Sequence, residues 1–163
     1  MSENIIDSKA MFKIGYGLYV LTTREDLKDN GCIINTAGQL TEDPARIQIS
    51  VNKKNLTHDM VLHTEQFNLC CFSTDAEYAL FRRFGFQSGR KADKFAGLSC
   101  LERSENGIYL LTQGINAILC ARVTETVDLD DHTLVIAEVT ENRVVSQVPS
   151  CTFDYYQTNI CPG

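Results

Sequence analysis

At 163 residues the chain has the length of one domain, residues 1–163, enough to bury about two-thirds of its unfolded surface. Fifteen lysines and arginines against 21 aspartates and glutamates leave a formal charge of −6, which argues against a nucleic-acid binder. No apolar run approaches the roughly 18 residues of a membrane span, and the start, MSENIIDSKAMFK, is polar and acidic where an export signal has a basic start and an apolar core. A cytoplasmic protein without a membrane partner is expected.

Residues 12–23, FKIGYGLYVLTT, predict a first strand with glycines at 15 and 17, residues that often mark a bulge or a close backbone approach. Gly15-x-Gly17 lacks the third glycine and the helix of a dinucleotide fingerprint and carries no weight as one. A polar loop over residues 24–30 leads to Asn30-Gly31, which reads as a turn needing positive φ. Then come the apolar run Cys32-Ile33-Ile34, the small polar set Asn35-Thr36-Ala37-Gly38, and a second turn at Asp43-Pro44, where proline pushes the preceding residue out of the α region.

Residues 46–52 alternate cleanly, so Ile47, Ile49 and Val51 should face a core while Gln48, Ser50 and Asn52 point away. Lys53-Lys54 ends this strand, and Asn55 or Thr57 can cap the helix that follows. Hydroxyls, an amide and lysines beside a helix N-terminus can hold an anion; they equally suit an ordinary solvated strand end. The helix should run from Thr57 to about Gln66, with His58 and His63 on its surface. Residues 67–73 read as a buried strand. Thr74 and Glu77 stand at capping-box spacing before a helix that ends at Gly85.

A loop, FQSGRKADKFAG, follows. Arg82, Arg83, Arg90, Lys91 and Lys94 fall within thirteen residues, either as a solvated face or as an anion-facing lid made flexible by Ser88-Gly89. The second half is almost all β: a short strand at 107–111, then a long hairpin from 117 to 139 around the acidic turn 128–132. The tail brings Phe153, Tyr155 and Tyr156, which need a surface to cover. Seven cysteines, an odd number without any C-x-x-C, read as free thiols. Cys32, Cys70, Cys71, Cys100 and Cys120 suit a core, and Cys161 an exposed end. His58, His63 and His132 are not spaced as metal ligands. The pattern as a whole predicts a mostly β fold with short helices, an antiparallel barrel or sandwich.

The ordered pieces Gly17-Leu18-Tyr19-Val20-Leu21-Thr22-Thr23, Asn30-Gly31 through Asn35, Asp43-Pro44, Ile49-Ser50-Val51-Asn52-Lys53 ahead of Thr57-His58, Arg83-Phe84-Gly85, Ser88-Gly89-Arg90, Asp93-Lys94-Phe95 and Asp131-His132-Thr133 resemble the flavin reductase-like family. The resemblance runs from Gly15 to about Tyr156. It implies an antiparallel split β-barrel, homodimeric, that binds FMN at the edge of the subunit interface. It also implies hydride from NAD(P)H and electrons passed to free flavin, a metal centre or a small redox protein. Carried onto this chain, Asn35, Thr36, Ala37 and Gly38 would line the isoalloxazine. Ser50, Asn52, Lys53 and Thr57 would hold the ribityl chain and phosphate, Arg90 would approach the phosphate or the nicotinamide, and His132 would sit catalytically near the reactive flavin edge.

FMN phosphate carries close to two negative charges, so an acidic protein must gather local cations and N–H groups for it. As a turn residue beside aspartates, His132 can instead be merely solvated. The chain departs from the family pattern at Ala37-Gly38, where a bulkier residue is common, and at Asp130, where glycine is frequent. Related chains can carry a rubredoxin after the flavin domain; with no second metal motif here, any rubredoxin would be a separate protein. The alternative from another class is a non-enzymatic FMN-binding electron-transfer protein reduced by a protein partner. A pyridoxamine-phosphate-oxidase-like activity lacks its active-site pattern.

Overall fold

The computed structural model describes residues 5–162. A helical turn α1 (Ser8–Met11) and a 3₁₀ turn (Phe12–Ile14) precede β1 (Tyr19–Glu25), β2 (Lys28–Ile34), β3 (Ala37–Glu42) and β4 (Ala45–Asn52). Helix α2 (Leu56–Thr64), β5 (Gln66–Phe72) and helix α3 (Tyr78–Gly85) follow, then β6 (Leu101–Arg103), β7 (Tyr109–Leu111), β8 (Ile115–Leu129) and β9 (His132–Val144), and the chain closes on α4 (Phe153–Tyr155) and a π turn (Tyr156–Ile160). Among the described residues seven strands form one antiparallel sheet in the order β2-β1-β5-β8-β9-β4-β3, with β6 and β7 paired separately.

Strands β2 and β3 are consecutive in the chain but lie at opposite ends of this order, and that is the split in the barrel. Residues 35–36 cross the gap. They are held to the end of β4 by Ser50 N–H donating to Thr36 O at 3.1 Å and by Thr36 Oγ1 donating to Ser50 O at 2.7 Å.

Both faces of the central strands are covered, which explains their nearly continuous apolar runs. In β1, Leu21 packs inward with Ile49, Val51, Phe67, Val135 and Val61 of α2. Its neighbour Val20 packs outward with Phe72, Ile118 and the α3 residues Phe81 and Phe84, as the two-residue period of a strand requires. Each such fully buried side chain contributes about 1.5–3 kcal/mol relative to exposure. Phe81 stacks on Phe72 with ring centroids 4.2 Å apart and meets Tyr156 of the tail at 4.6 Å, so the aromatic tail does find a surface to cover.

Several local expectations are corrected. The first strand begins at Tyr19; Phe12 to Ile14 form a 3₁₀ turn that Gly15 ends at φ 88°. Asn30-Gly31 is not a turn but lies inside β2, paired with Thr23 and Thr22. The hairpin turns instead at Asp26-Leu27, with Asp26 at φ 54°, where the Arg24 side chain donates to Asp26 O and to the Asp29 carboxylate. Glycine suits 31 for space, since a Cβ there would lie 3.0 Å from Leu21 O and 3.3 Å from the Thr22 methyl. The spacing of Thr74 and Glu77 does not make a capping box: α3 starts at Tyr78, and its N-cap Glu77 makes no side-chain cap bond. Gly85 is the last residue of α3 rather than the one beyond it. No helix among the described residues is long and apolar enough to cross a membrane.

Candidate functional site

At one end of the barrel the crossover 35–36, the end of β4, the loop into α2 and the start of β9 come together. Strand register sets the arrangement, because Asn52 pairs with His132. The side chains enclose one side of an open cavity of about 250 Å³, lined by Asn35, Thr36, Ser50, Asn52, Asn55 and His132, with Leu18, Ile33 and Phe153 as its apolar wall. Asn35, Thr36, Ser50, Asn52 and His132 are the sequence-predicted residues gathered here. Asn55, expected only as a cap, and Phe153, expected only as tail packing, belong to the same cavity. Neither carries a local signal of this: both reach it through tertiary topology.

His132 is 35% exposed at its side chain and Nδ1 lies 2.9 Å from Asp131 Oδ1. That contact leaves Nε2 without a protein partner among the described residues. The same hydrogen bond holds the Asp131 carboxyl below the usual carboxylate range. Lys53 is committed elsewhere, with Nζ 2.6 Å from Asp128 Oδ1 and its backbone N–H on Asp131 O at 3.0 Å, tying the strand end to the β8–β9 turn.

The other predicted residues stand apart. Ala37 and Gly38 line a second, apolar cavity of about 310 Å³ with Tyr19, Ile47, Leu69 and Leu119. Thr57 is fully buried and its hydroxyl accepts from Asn30 Nδ2 at 2.9 Å. Arg90 lies 3.0 Å from Asp59 Oδ2, on the wall of a third cavity of about 530 Å³.

His58 is the residue that sequence reasoning misplaced. Expected on the helix surface, it is 7% exposed, with Nε2 2.7 Å from Thr133 Oγ1 and Nδ1 2.9 Å from Asp59 Oδ1. Arg90, Asp59, His58 and Thr133 therefore form a continuous polar chain from the loop after α3 to the residue beside His132. Asp59 is held below the usual carboxylate range, first by the His58 hydrogen bond, against its partial burial, and also by Arg90.

The loop in which Ser88-Gly89 suggested a flexible lid is tied to the rest of the domain by several cations. Lys94 is 2% exposed; its Nζ donates to Gly31 O at 2.7 Å and Phe84 O at 3.0 Å, and burial lowers its pKa. Arg83 donates to Lys94 O and Ala96 O, and Lys28 Nζ to Gly89 O at 3.1 Å. Lys94 and Arg83 are thus internal struts, and the local positive charge left facing outward rests on Arg82, Arg90 and Lys91.

The cavity around Asn52 suits one end of FMN chemically. Three amides and two hydroxyls offer both donors and acceptors, and the apolar wall can take the flat face of a ring. Its volume lies below the roughly 300–1,000 Å³ of a complete ligand site, so a nucleotide placed there would extend over the open rim.

Residues 11–163 match the family model described as the flavin reductase like domain. The chain belongs to this family. It is 37% identical over 151 residues to the high molecular weight rubredoxin of Moorella thermoacetica, covering 93% of this chain and 66% of that protein, so it spans about two-thirds of that relative's length. It is 32% identical over 152 residues to the ferric-chelate reductase (NAD(P)H) of Archaeoglobus fulgidus, covering 93% of this chain and 89% of that one. Among solved structures it resembles an NADH:FAD oxidoreductase of Streptomyces globisporus, with TM-score 0.78 at 19% identity over 94% of each chain. A flavoredoxin of Methanosarcina acetivorans gives TM-score 0.75 at 19% identity, over 90% of this chain and 77% of that one. At these identities the likeness is one of fold, and it places the split sheet described above among flavin reductase-like barrels.

Proposed function

We propose that this chain is an NAD(P)H-dependent flavin reductase-type oxidoreductase that holds FMN in the cavity of Asn35, Thr36, Ser50, Asn52 and His132 and works as a cytoplasmic homodimer. The observation that carries this reading is the convergence of polar side chains from three distant segments on one open cavity, in a chain of this family. FMN bound there supplies the hydride acceptance and onward electron transfer. The protein binds and orients. The amides of Asn35, Asn52 and Asn55 and the Ser50 hydroxyl offer hydrogen bonds, the Phe153 side gives an apolar wall, and His132 presents Nε2. Lys53 supplies positive charge at the rim, shared with Asp128. Ala37 and Gly38, expected against the ring, line the neighbouring apolar cavity instead and take no part in this reading. Thr57 supports β2 from beneath through Asn30, and Arg90 reaches the site through Asp59.

The second copy is motivated by what the single chain leaves bare. Ile5, Ile6, Phe12 and Ile14 are exposed on the N-terminal segment, and Phe12 stacks on Phe153 at 5.8 Å, beside the cavity. Apolar surface so placed is suited to a partner that completes the wall. Sedimentation at micromolar concentration should give a dimer, and a monomer alone would contradict this part of the reading. Seven free thiols suit a reducing compartment. The acceptor is drawn from free flavin, a ferric centre such as the Archaeoglobus relative's name specifies, or a small rubredoxin-like protein.

The test is anaerobic addition of NADH and, separately, NADPH to the FMN-loaded protein. The flavin absorbance should bleach with at least one of them on the timescale of turnover. A yellow protein that neither nucleotide reduces, while a redox protein does, would make this an electron-transfer protein instead.

A further inference from the structure

Of the three histidines only His58 is buried, and the reading above gives it no task. A buried imidazole is tolerated where both ring nitrogens find partners. Here Nδ1 lies 2.9 Å from Asp59 Oδ1 and Nε2 lies 2.7 Å from Thr133 Oγ1. An ionised carboxylate can only accept, so Nδ1 donates to Asp59, and Nε2 of a neutral ring accepts from the Thr133 hydroxyl. Asp59 is fixed in turn by Arg90 at 3.0 Å, which leaves the ring little freedom to turn.

Both ends of the His58–Thr133 bond lead to the wall of the Asn52 cavity. On the helix side, the His58 N–H donates to Asn55 O at 3.1 Å. The Asn55 side chain makes no cap bond and lines the cavity. On the strand side, Thr133 follows His132 and pairs with Val51, while His132 pairs with Asn52. Successive side chains of a strand point to opposite faces, so His132 turns to the cavity and Thr133 turns away from it, to His58. No other hydrogen bond or ion pair among the described residues joins α2 to β9. We propose that His58 is a positioning residue of the flavin site: through Thr133 it holds Asn55 and His132 in fixed relation across the cavity, and so sets how tightly the flavin is held. The consequence for the flavin rests on the functional reading above, whereas the brace itself can be read in the flavin-free protein.

Thr133→Val removes the hydroxyl at nearly constant shape, and His58→Asn keeps an amide near the Nδ1 position but loses the contact at Nε2. Each should raise the Kd for FMN, read by quenching of flavin fluorescence, about threefold to tenfold, the worth of one hydrogen bond. The double variant should be no worse than either single one, because both remove the same bond. Thr133→Ser, which keeps the hydroxyl, and His58→Gln, whose amide reaches the Nε2 position, should stay within about twofold of wild type. The isosteric Thr133→Val carries the test should His58→Asn fail to fold. A lowered Tm with an unchanged Kd, losses that add in the double variant, or a loss in Thr133→Ser as large as in Thr133→Val overturns the proposal, since each would leave His58 a packing residue only. In the flavin-free protein, Thr133→Val should move the side-chain amide resonances of Asn55, and His58→Asn should move the ring resonances of His132. If the wild-type protein takes up no FMN, the functional reading fails, and these cross-shifts decide the brace by themselves: their absence overturns it.

Discussion

A methyl group on Gly89 would overlap the side-chain amide of Asn30, and that amide cannot step aside freely, since it is buried and donates to Thr57. Gly89→Ala should therefore lower the unfolding free energy by about 1–3 kcal/mol, the range for overpacking a filled interior. Denaturant unfolding checks it, and a loss below a few tenths of a kcal/mol would show that the loop is not seated on β2 as described. The same residues show where sequence reading runs out. Asn30-Gly31 and Ser88-Gly89 look like turn and hinge because glycine serves both positive φ and close approach, and only the partner across the gap tells which. His58 was illegible for a similar reason: its partner Thr133 lies 75 positions away. Lys94 looked like part of a cationic face, yet its ammonium fills two carbonyl acceptors in the interior.

Among the elements, β4 and the β8–β9 hairpin were legible because a strict two-residue alternation or a long β-branched run admits few other solutions, while the entry to β1 was not. The stretch 12–18, FKIGYGL, serves a 3₁₀ turn and an extended connection as readily as a strand. The link between α2 and the loop after α3 carries a pH signature. Asp59 titrates below its ordinary value in the folded protein, so the unfolded chain binds more protons in the window between the two values. Its contribution to stability is complete above the ordinary aspartate value of about 3.9 and is lost as pH falls through the depressed one. Asp59→Asn should then lower Tm at pH 7, and the gap to wild type should close as the pH is brought below about 4. Amides of residues 86–97 should also exchange faster in the variant at pH 7. A gap that does not depend on pH would mean that the carboxylate is not what ties loop to helix.

For the molecule as a whole, the ordered family pieces made the barrel and its family readable, while the cavities were not. Two of them divide residues that stand side by side in the sequence: Thr36 lines one and Ala37 the other. The crossover ends and β3 begins between them, so neighbours in the chain part in space, whereas Asn52 and His132, 80 positions apart in the chain, are brought together by register. The central claim is that this juxtaposition receives a flavin. A crystal structure of the protein saturated with FMN tests it most directly. The account predicts the flavin in contact with Asn35, Ser50, Asn52 and His132; FMN found elsewhere, or this cavity closed by its own side chains at saturating FMN, would contradict it.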